Sequence, residues 1–266
     1  FNEERAMYMQ KFESLKKQYE WGTNLPYMFS GAYSLPQKDV MQWIAKRYYS
    51  LNSIIQALNN RQHNISDNLK IPKFYEKNKI KKVIILGGGK SAILHSRAVN
   101  EYIDLNQKDL CVIHSSSKNS NYYSQLSVKQ FFCLVGNEGY RLNKTIKNKL
   151  SEKVYKCILP AYPRIMGTYI PEDLKEKAYE LEKISFTKKY HDSHFAISLQ
   201  TSIQLGAEEI FLVGFDGYDG NISNKEFELA SENNYLIKKF NQKHFDLISF
   251  TQTNYKIDIS SIYKYI

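Results

Sequence analysis

Two stretches of the chain hold residue types whose spacing could do chemistry. The first is Lys82-Val83-Ile84-Ile85-Leu86-Gly87-Gly88-Gly89-Lys90-Ser91-Ala92, an apolar run of strand length that ends in three glycines and passes into a helical pattern. Glycines at such a bend permit tight turning and close backbone approach, and the unpaired N–H groups of a helix start can face a phosphate. Gly87, Gly88, Gly89, Lys90 and Ser91 are therefore candidate phosphate-binding residues; the alternative is a tight turn with no ligand. The second stretch begins at His191-Asp192-Ser193-His194, a polar entrance to a helix that closes at Gly206. It continues into Glu209-Ile210-Phe211-Leu212-Val213-Gly214-Phe215-Asp216-Gly217-Tyr218, which reads as a buried strand. That strand delivers Asp216, Gly217 and Tyr218 to its C-terminal end, the edge at which open parallel sheets bind ligands.

Two named phosphate motifs come close and fall short. Gly89-Lys90-Ser91 matches the end of a P-loop, but the first glycine of that pattern falls on Ile84, which argues against a kinase or ATPase. Gly87-x-Gly89-x-x-Ala92 matches the loose dinucleotide pattern. The second strand, however, ends in His114-Ser115-Ser116-Ser117-Lys118, without the acid that would hold a ribose diol, so NAD is disfavoured and NADP is a minor reading. Ser115 and Ser116 remain candidate phosphate contacts, and His114 either faces the same crevice or merely ends its strand. Asp216 and Asp219 invite a divalent-metal reading, but a turn rich in Asp and Gly is common after a strand, and no metal site is expected. Arg164 pairs either with a phosphate or with a surface acid.

These residues need a sheet to position them. From residue 81 onward, strand-like runs at Val83–Leu86, Leu110–His114, Phe131–Val135, Tyr155–Leu159, Ile210–Val213 and Leu247–Phe250 alternate with helical patterns. Those patterns cover Ser91–Leu105, Leu142–Leu150, Pro171–Lys183, His194–Leu205 and Asn224–Gln242. Short continuous apolar strands alternating with helices predict an α/β fold, an open and mostly parallel sheet with helices on both faces. Before it, residues 1–65 read as a small helical segment, with periods over Glu3–Tyr19 and Asp39–Tyr49. Residues 66–80, lysine-rich toward their end, read as a linker.

Composition narrows the function classes. Hydrophobic residues at 42% and charged residues at 24% fit a folded globular chain, and no apolar run approaches the roughly 18 residues of a membrane-spanning helix. The net charge of +10 comes from basic residues interleaved with acids, as on a solvated surface and unlike a nucleic-acid footprint. Such a field favours anionic small molecules. Cys111, Cys133 and Cys157 lie far apart in apolar segments and read as buried structural thiols of a reducing compartment, by default the cytoplasm. The chain opens on Phe1, as a fragment of a longer protein would.

The run Leu205-Gly206-Ala207-Glu208-Glu209-Ile210-Phe211-Leu212-Val213-Gly214-Phe215-Asp216-Gly217-Tyr218, behind a helix with a polar entrance, resembles the Rossmann-like domain of aldolase-like proteins from surface-polysaccharide gene clusters. It is more distantly similar to the domain of unknown function 115 group and to glycosyltransferase family 42 sialyltransferases. The glycine loop stands where those proteins carry theirs, usually with Pro where this chain has Lys90. Tyr19-Glu20-Trp21-Gly22-Thr23-Asn24-Leu25-Pro26 resembles the helical region after the barrel of 4-hydroxy-2-oxovalerate aldolases of the HMG-CoA lyase group. The resemblance implies an aldolase barrel in the same polypeptide before Phe1, so aldolase chemistry is not expected here. It also implies a transferase of lipopolysaccharide or capsule biosynthesis, with a nucleotide or nucleotide-sugar ligand and no tightly bound cofactor. His191 or His194 would then be the general base, and Tyr190 and Tyr218 neighbours of the departing phosphate; Asp216, delivered by its strand to the same edge, is a further catalytic candidate. Alternatively His191 and His194 cap a helix entrance. The rival function is a non-catalytic module that docks or regulates the aldolase. A third, pyrophosphokinase-like reading would bring in ATP and magnesium. Homo-oligomerisation is left open, and no nucleic-acid partner is expected.

Overall fold

Runs such as Ile84-Ile85-Leu86 and Cys111-Val112-Ile113 have nothing to gain at a surface, and both become central strands buried on two faces. A computed structural model of the chain describes residues 71–136, 138–149, 155–161, 168 and 170–266. The expected helical segment 1–65, the first residues of the expected linker and Arg164 lie outside the described residues. Eight strands form one sheet: β1 (Lys82–Leu86), β2 (Leu110–His114), β3 (Gln130–Cys133), β4 (Tyr155–Leu159), β5 (Ala178–Glu180), β6 (Glu209–Val213), β7 (Ile248–Ser249) and β8 (Asp258–Ile259). Their order is β5-β4-β3-β2-β1-β6-β7-β8, and every neighbouring pair is parallel. The fold is an open, doubly wound α/β sheet of Rossmann type.

Alternation of side chains across the strands builds the two faces. Val83, Ile85, Cys111, Ile113, Phe131, Cys133, Ile210 and Leu212 pack with α4 (His194–Leu205) and α5 (Asn224–Lys243). Ile84, Leu86, Val112, Phe211 and Val213 face α2 (Ser96–Leu105) and the chain end. There the Phe211 and Phe250 rings stack at 4.1 Å. A third cluster sets Phe132, Leu134, Cys157 and Leu159 against Leu142 of α3 (Glu138–Lys149).

Helix α4 shows how a sequence rich in Ser, Thr and Gln can be buried. The hydroxyls of Ser198, Thr201 and Ser202 turn back onto the carbonyls of His194, Ile197 and Ser198 at 2.8, 2.8 and 2.9 Å. Gln200 accepts from the Ser185 backbone at 2.7 Å, so these four side chains are satisfied before they are sealed in. Ser193 caps the start. Gly206, at φ 76°, ends the helix in the left-handed conformation that glycine adopts without strain.

The expected helix over Pro171–Lys183 is corrected. Residues Glu172–Lys177 make a short 3-10 turn, and Ala178–Glu180 then pair with Cys157–Leu159 as β5. On its other side Glu180 exchanges backbone bonds with Pro72 and Phe74 at 2.9 and 2.8 Å. Pairing on both sides overrides a helical composition. Between residues 71 and 80, Phe74 and Ile80 are buried in the core, and Glu76 meets Lys129 and Lys156 at 3.0 Å each. The helix expected from Ser91 breaks at His95 into α1 (Ser91–Leu94) and α2. No helix among the described residues is long and apolar enough to cross a membrane.

Candidate functional site

The chain winds outward from β1 to β5 and returns beside β1 as β6. Strands on either side of that reversal send their loops in opposite directions, which opens a crevice at their C-terminal ends. Leu86 of β1 is in register with Val213 of β6, so the glycine turn and the Asp216 loop leave the sheet side by side. Gly87 donates its N–H to Val213 at 2.8 Å and Gly89 to Gly214 at 2.9 Å.

The three glycines have different reasons to be glycine, and none has a positive φ. A Cβ on Gly87 would lie 2.4 Å from the Gly214 carbonyl oxygen, and one on Gly89 would lie 2.6 Å from the Asp216 carboxyl group. Both positions are dictated by the close approach of the two loops. Gly88 is not so constrained: a Cβ there would sit in ordinary contact, 3.5 Å from Ser116 Oγ and 3.7 Å from Lys118 Cδ. Its face is flanked by a hydroxyl and the stem of an exposed lysine, and exposed Lys90 follows two residues on.

Asp216 and Ser91, both singled out in the sequence, meet directly. The Asp216 carboxylate accepts the Ser91 N–H at 3.1 Å and also the Ser91 hydroxyl. Thr251, past β7, adds a 3.0 Å contact to the same hydroxyl. The N–H expected to meet a phosphate is thus taken by the chain's own carboxylate. Gly217, at φ 77°, turns the chain beneath Asn254, whose side chain donates to the Tyr218 carbonyl at 3.3 Å. Burial, and then the charge of Glu226, push the Tyr218 phenol above its ordinary value. Asp219 is exposed, and its carboxylate accepts the next N–H, Gly220, at 2.7 Å.

A second group lies at the ends of β2 and β3. Ser115 is buried and Ser116 is half-buried, and Ser116 Oγ accepts the Lys118 N–H at 3.3 Å. The buried carboxylate of Glu138, in the first turn of α3, accepts both the N–H and the hydroxyl of Ser117 at 2.5 Å, and a guanidinium N–H of Arg141 at 2.8 Å. His194, at the start of α4, is hydrogen-bonded to the Val135 carbonyl just past β3, while its Nε2 is buried with no partner among the described residues. Burial lowers the proton affinity of the ring, and Arg141 lowers it further; Glu138 and the Val135 carbonyl oppose them. The net effect is a neutral imidazole near pH 7, the form a general base requires.

The other histidines divide differently. His191 is exposed and its Nε2 donates to the Thr187 carbonyl at 3.1 Å. Tyr190 holds the left-handed backbone at φ 59° and packs edge-on against Tyr235 of α5 at 5.5 Å. His114 is buried, stacked on Phe132 at 4.1 Å and bonded to Gln130 at 2.8 Å, so it ends its strand inside the core. Glu138, Thr251 and Asn119, whose amide holds the Gly89 carbonyl at 2.9 Å, did not stand out in the sequence. Glu138 alone had a local signal, as an acid in the first turn of a helix after a strand. An open groove of about 600 Å³ runs along α2 between Ser96 and Leu105; it touches none of these groups.

No family model and no curated protein matches the sequence. Among solved structures the chain is similar to the MAf glycosyltransferase from Magnetospirillum magneticum AMB-1, at 14% identity and a TM-score of 0.47, over 73% of this chain. It spans 35% of the length of that protein. At that distance the functional reading rests on the site's own geometry.

Proposed function

We propose that the α/β domain binds a nucleotide or nucleotide-activated sugar at the C-terminal edge of its sheet and serves a group-transfer reaction. The observation that carries the reading is Gly88. Its two neighbours are glycine because the fold would otherwise collide; Gly88 has no such reason, and its bare backbone faces Ser116 and Lys118. A backbone free of a side chain, beside a hydroxyl and two lysine cations, suits the close approach of a phosphate. The seat is the Gly88–Lys90 segment with Ser116 and Lys118, since Ser91 is engaged by Asp216.

His194 supplies the chemistry on this reading. An acceptor hydroxyl gives its proton to the His194 imidazole, whose buried Nε2 must first be uncovered, as its oxygen attacks the activated carbon, and the bond to the nucleotide phosphate breaks with its electron pair staying on the phosphate. Lysine cations at the glycine turn stabilise the leaving charge, so this route calls on no tightly bound cofactor. The setting in surface-polysaccharide biosynthesis and the attachment to an aldolase-like barrel rest on the sequence resemblance alone.

A thermal-shift panel of CMP, CDP, UDP and their sugar conjugates, with and without magnesium, tests the proposal. Saturation at about a hundred times Kd stabilises by about 2.7 kcal/mol, which for a domain of this size raises Tm by roughly 5 to 10 °C. Gly88→Val removes the shift while the protein stays folded. No shift with any nucleotide at millimolar concentration overturns the proposal, and a shift that requires magnesium with ATP redirects it to pyrophosphoryl transfer.

A further inference from the structure

A glycine turn presents carbonyls as well as N–H groups, and only the N–H ends of its peptides attract an anion. Two of the carbonyls here are held by one side chain. Asn119 lies in the 3-10 segment Ser117–Tyr123, whose start is fixed by the bonds of Ser117 to Glu138, and it is 3% exposed. Its amide nitrogen meets the Gly89 carbonyl at 2.9 Å and the Gly87 carbonyl at 3.4 Å. Carbonyl oxygens only accept, so the NH2 end faces the turn, with one hydrogen for each of them. A peptide is planar and trans, so a carbonyl and the N–H of the following residue point opposite ways. With the Gly87 and Gly89 carbonyls turned onto Asn119, the N–H groups of Gly88 and Lys90 face away from it. Neither has a partner among the described residues, whereas the Gly87, Gly89 and Ser91 N–H groups are all engaged.

We infer that Asn119 is a positioning residue of the phosphate seat: by holding the Gly87 and Gly89 carbonyls, it leaves the Gly88 and Lys90 N–H groups as a pair of donors for one phosphate. The inference rests on the proposed function for its ligand, and on these hydrogen bonds for its geometry. A side-chain amide is suited to the task because it supplies two donors and no net charge. A carboxylate in its place could donate to neither carbonyl and would set a negative charge beside the seat. Tyr123 provides an internal comparison. It is buried on the same segment, and its hydroxyl donates to the Ala92 carbonyl, past the turn. It braces the same packing without a hydrogen bond to Gly87 or Gly89.

The test titrates inorganic pyrophosphate, the charged portion that nucleoside diphosphates share, into the wild type, Asn119→Ala, Asn119→Asp and Tyr123→Phe, followed by NMR. In free Asn119→Ala the Gly87 and Gly89 carbonyl carbon signals move upfield, as carbonyls that lose a hydrogen bond do, and the Gly88 and Lys90 amide signals move with them. Pyrophosphate then binds about tenfold more weakly, and Asn119→Asp weakens it further. Asn119→Asp keeps the shape of the side chain, so the comparison survives if Asn119→Ala does not fold. Tyr123→Phe loses stability toward urea but keeps the wild-type affinity. Wild-type affinity in Asn119→Ala and Asn119→Asp overturns the inference. So does an equal loss of affinity in Tyr123→Phe, which would assign the effect to loosening of the whole segment, and so do unmoved Gly87 and Gly89 carbonyl signals in Asn119→Ala. If the wild type binds neither pyrophosphate nor CDP while the carbonyl signals move as stated, the hold on the turn stands and the proposed phosphate ligand is what fails.

Discussion

Asp216 and Ser91, 125 residues apart in sequence, are joined by two hydrogen bonds across the reversal of the sheet, one to the Ser91 N–H and one to its hydroxyl. The carboxylate occupies the start of α1, where the backbone's unpaired N–H groups attract negative charge. It thereby ties the β6 loop to the glycine turn and leaves Gly88 and Lys90 on the open side.

Replacing Asp216 by Ala should cost about 1 to 2 kcal/mol of unfolding free energy, because the Ser91 N–H loses a charged acceptor. Asp216→Asn, which retains one oxygen for that N–H, should cost less. Ser91→Ala should cost about 1 kcal/mol, and the double variant Asp216→Ala/Ser91→Ala should fall short of the sum. Urea denaturation of the four proteins measures this; strict additivity would mean that the two side chains do not interact.

The glycine triplet should respond unequally to alanine. At Gly87 and Gly89 the added methyl meets the opposing loop at 2.4 and 2.6 Å, and the overpacking should cost about 1 to 3 kcal/mol. At Gly88 the nearest atom is 3.5 Å away, so Gly88→Ala should leave the urea midpoint within experimental scatter. Equal losses at all three positions would contradict the steric assignment.

Stability should decline as pH falls below about 6.5. Burial lowers the His114 pKa to about 4, with the Gln130 hydrogen bond opposing it, and His194 is lowered in the same direction. For a histidine whose folded pKa is depressed, the unfolded chain binds the proton first, so stability is lost as pH drops from the unfolded toward the folded value. Over that window His114 accounts for roughly 3 kcal/mol by pH 4. Urea midpoints from pH 7 to 4 should show the fall. His114→Phe should flatten its slope, even though the loss of the Gln130 bond lowers stability at every pH.

The three thiols should be silent in the native protein. Burial pushes Cys133 and Cys157 up to about 12, and Cys111 is raised as well; all three are buried and unpaired. Reaction with a thiol reagent should therefore follow global unfolding, with three equivalents appearing only in denaturant. Fast modification of any one of them at neutral pH would show that its strand opens locally.

What could be read from sequence was set by how local each signal is. Leu110–His114, Tyr155–Leu159 and His194–Leu205 were found at their observed bounds, because a bounded apolar run and a capped, glycine-ended helix are complete within their own residues. Strand β5 has a helical local pattern, since Ala178–Glu180 becomes a strand only by pairing with β4 and with Pro72 and Phe74. Strand β8, two exposed residues paired with β7, went unseen for the same reason. In the site, the glycine turn and Asp216 were visible as types in place, but their direct bond was not. Nor was the separation of Gly88 from its neighbours, which depends on where Gly214 and Asp216 arrive. Glu138 acquired its role only when α3 brought it against Ser117, a contact between positions 21 residues apart.

The most direct measurement is an amide chemical-shift map of the isotope-labelled protein titrated with the nucleotide that gives the largest thermal shift. Binding at the sheet edge predicts saturable changes at Gly88, Lys90, Ser116 and Lys118, with none along the outer face of α2 between Ser96 and Leu105. Saturable changes confined to other surfaces, or no change at millimolar nucleotide, would contradict it.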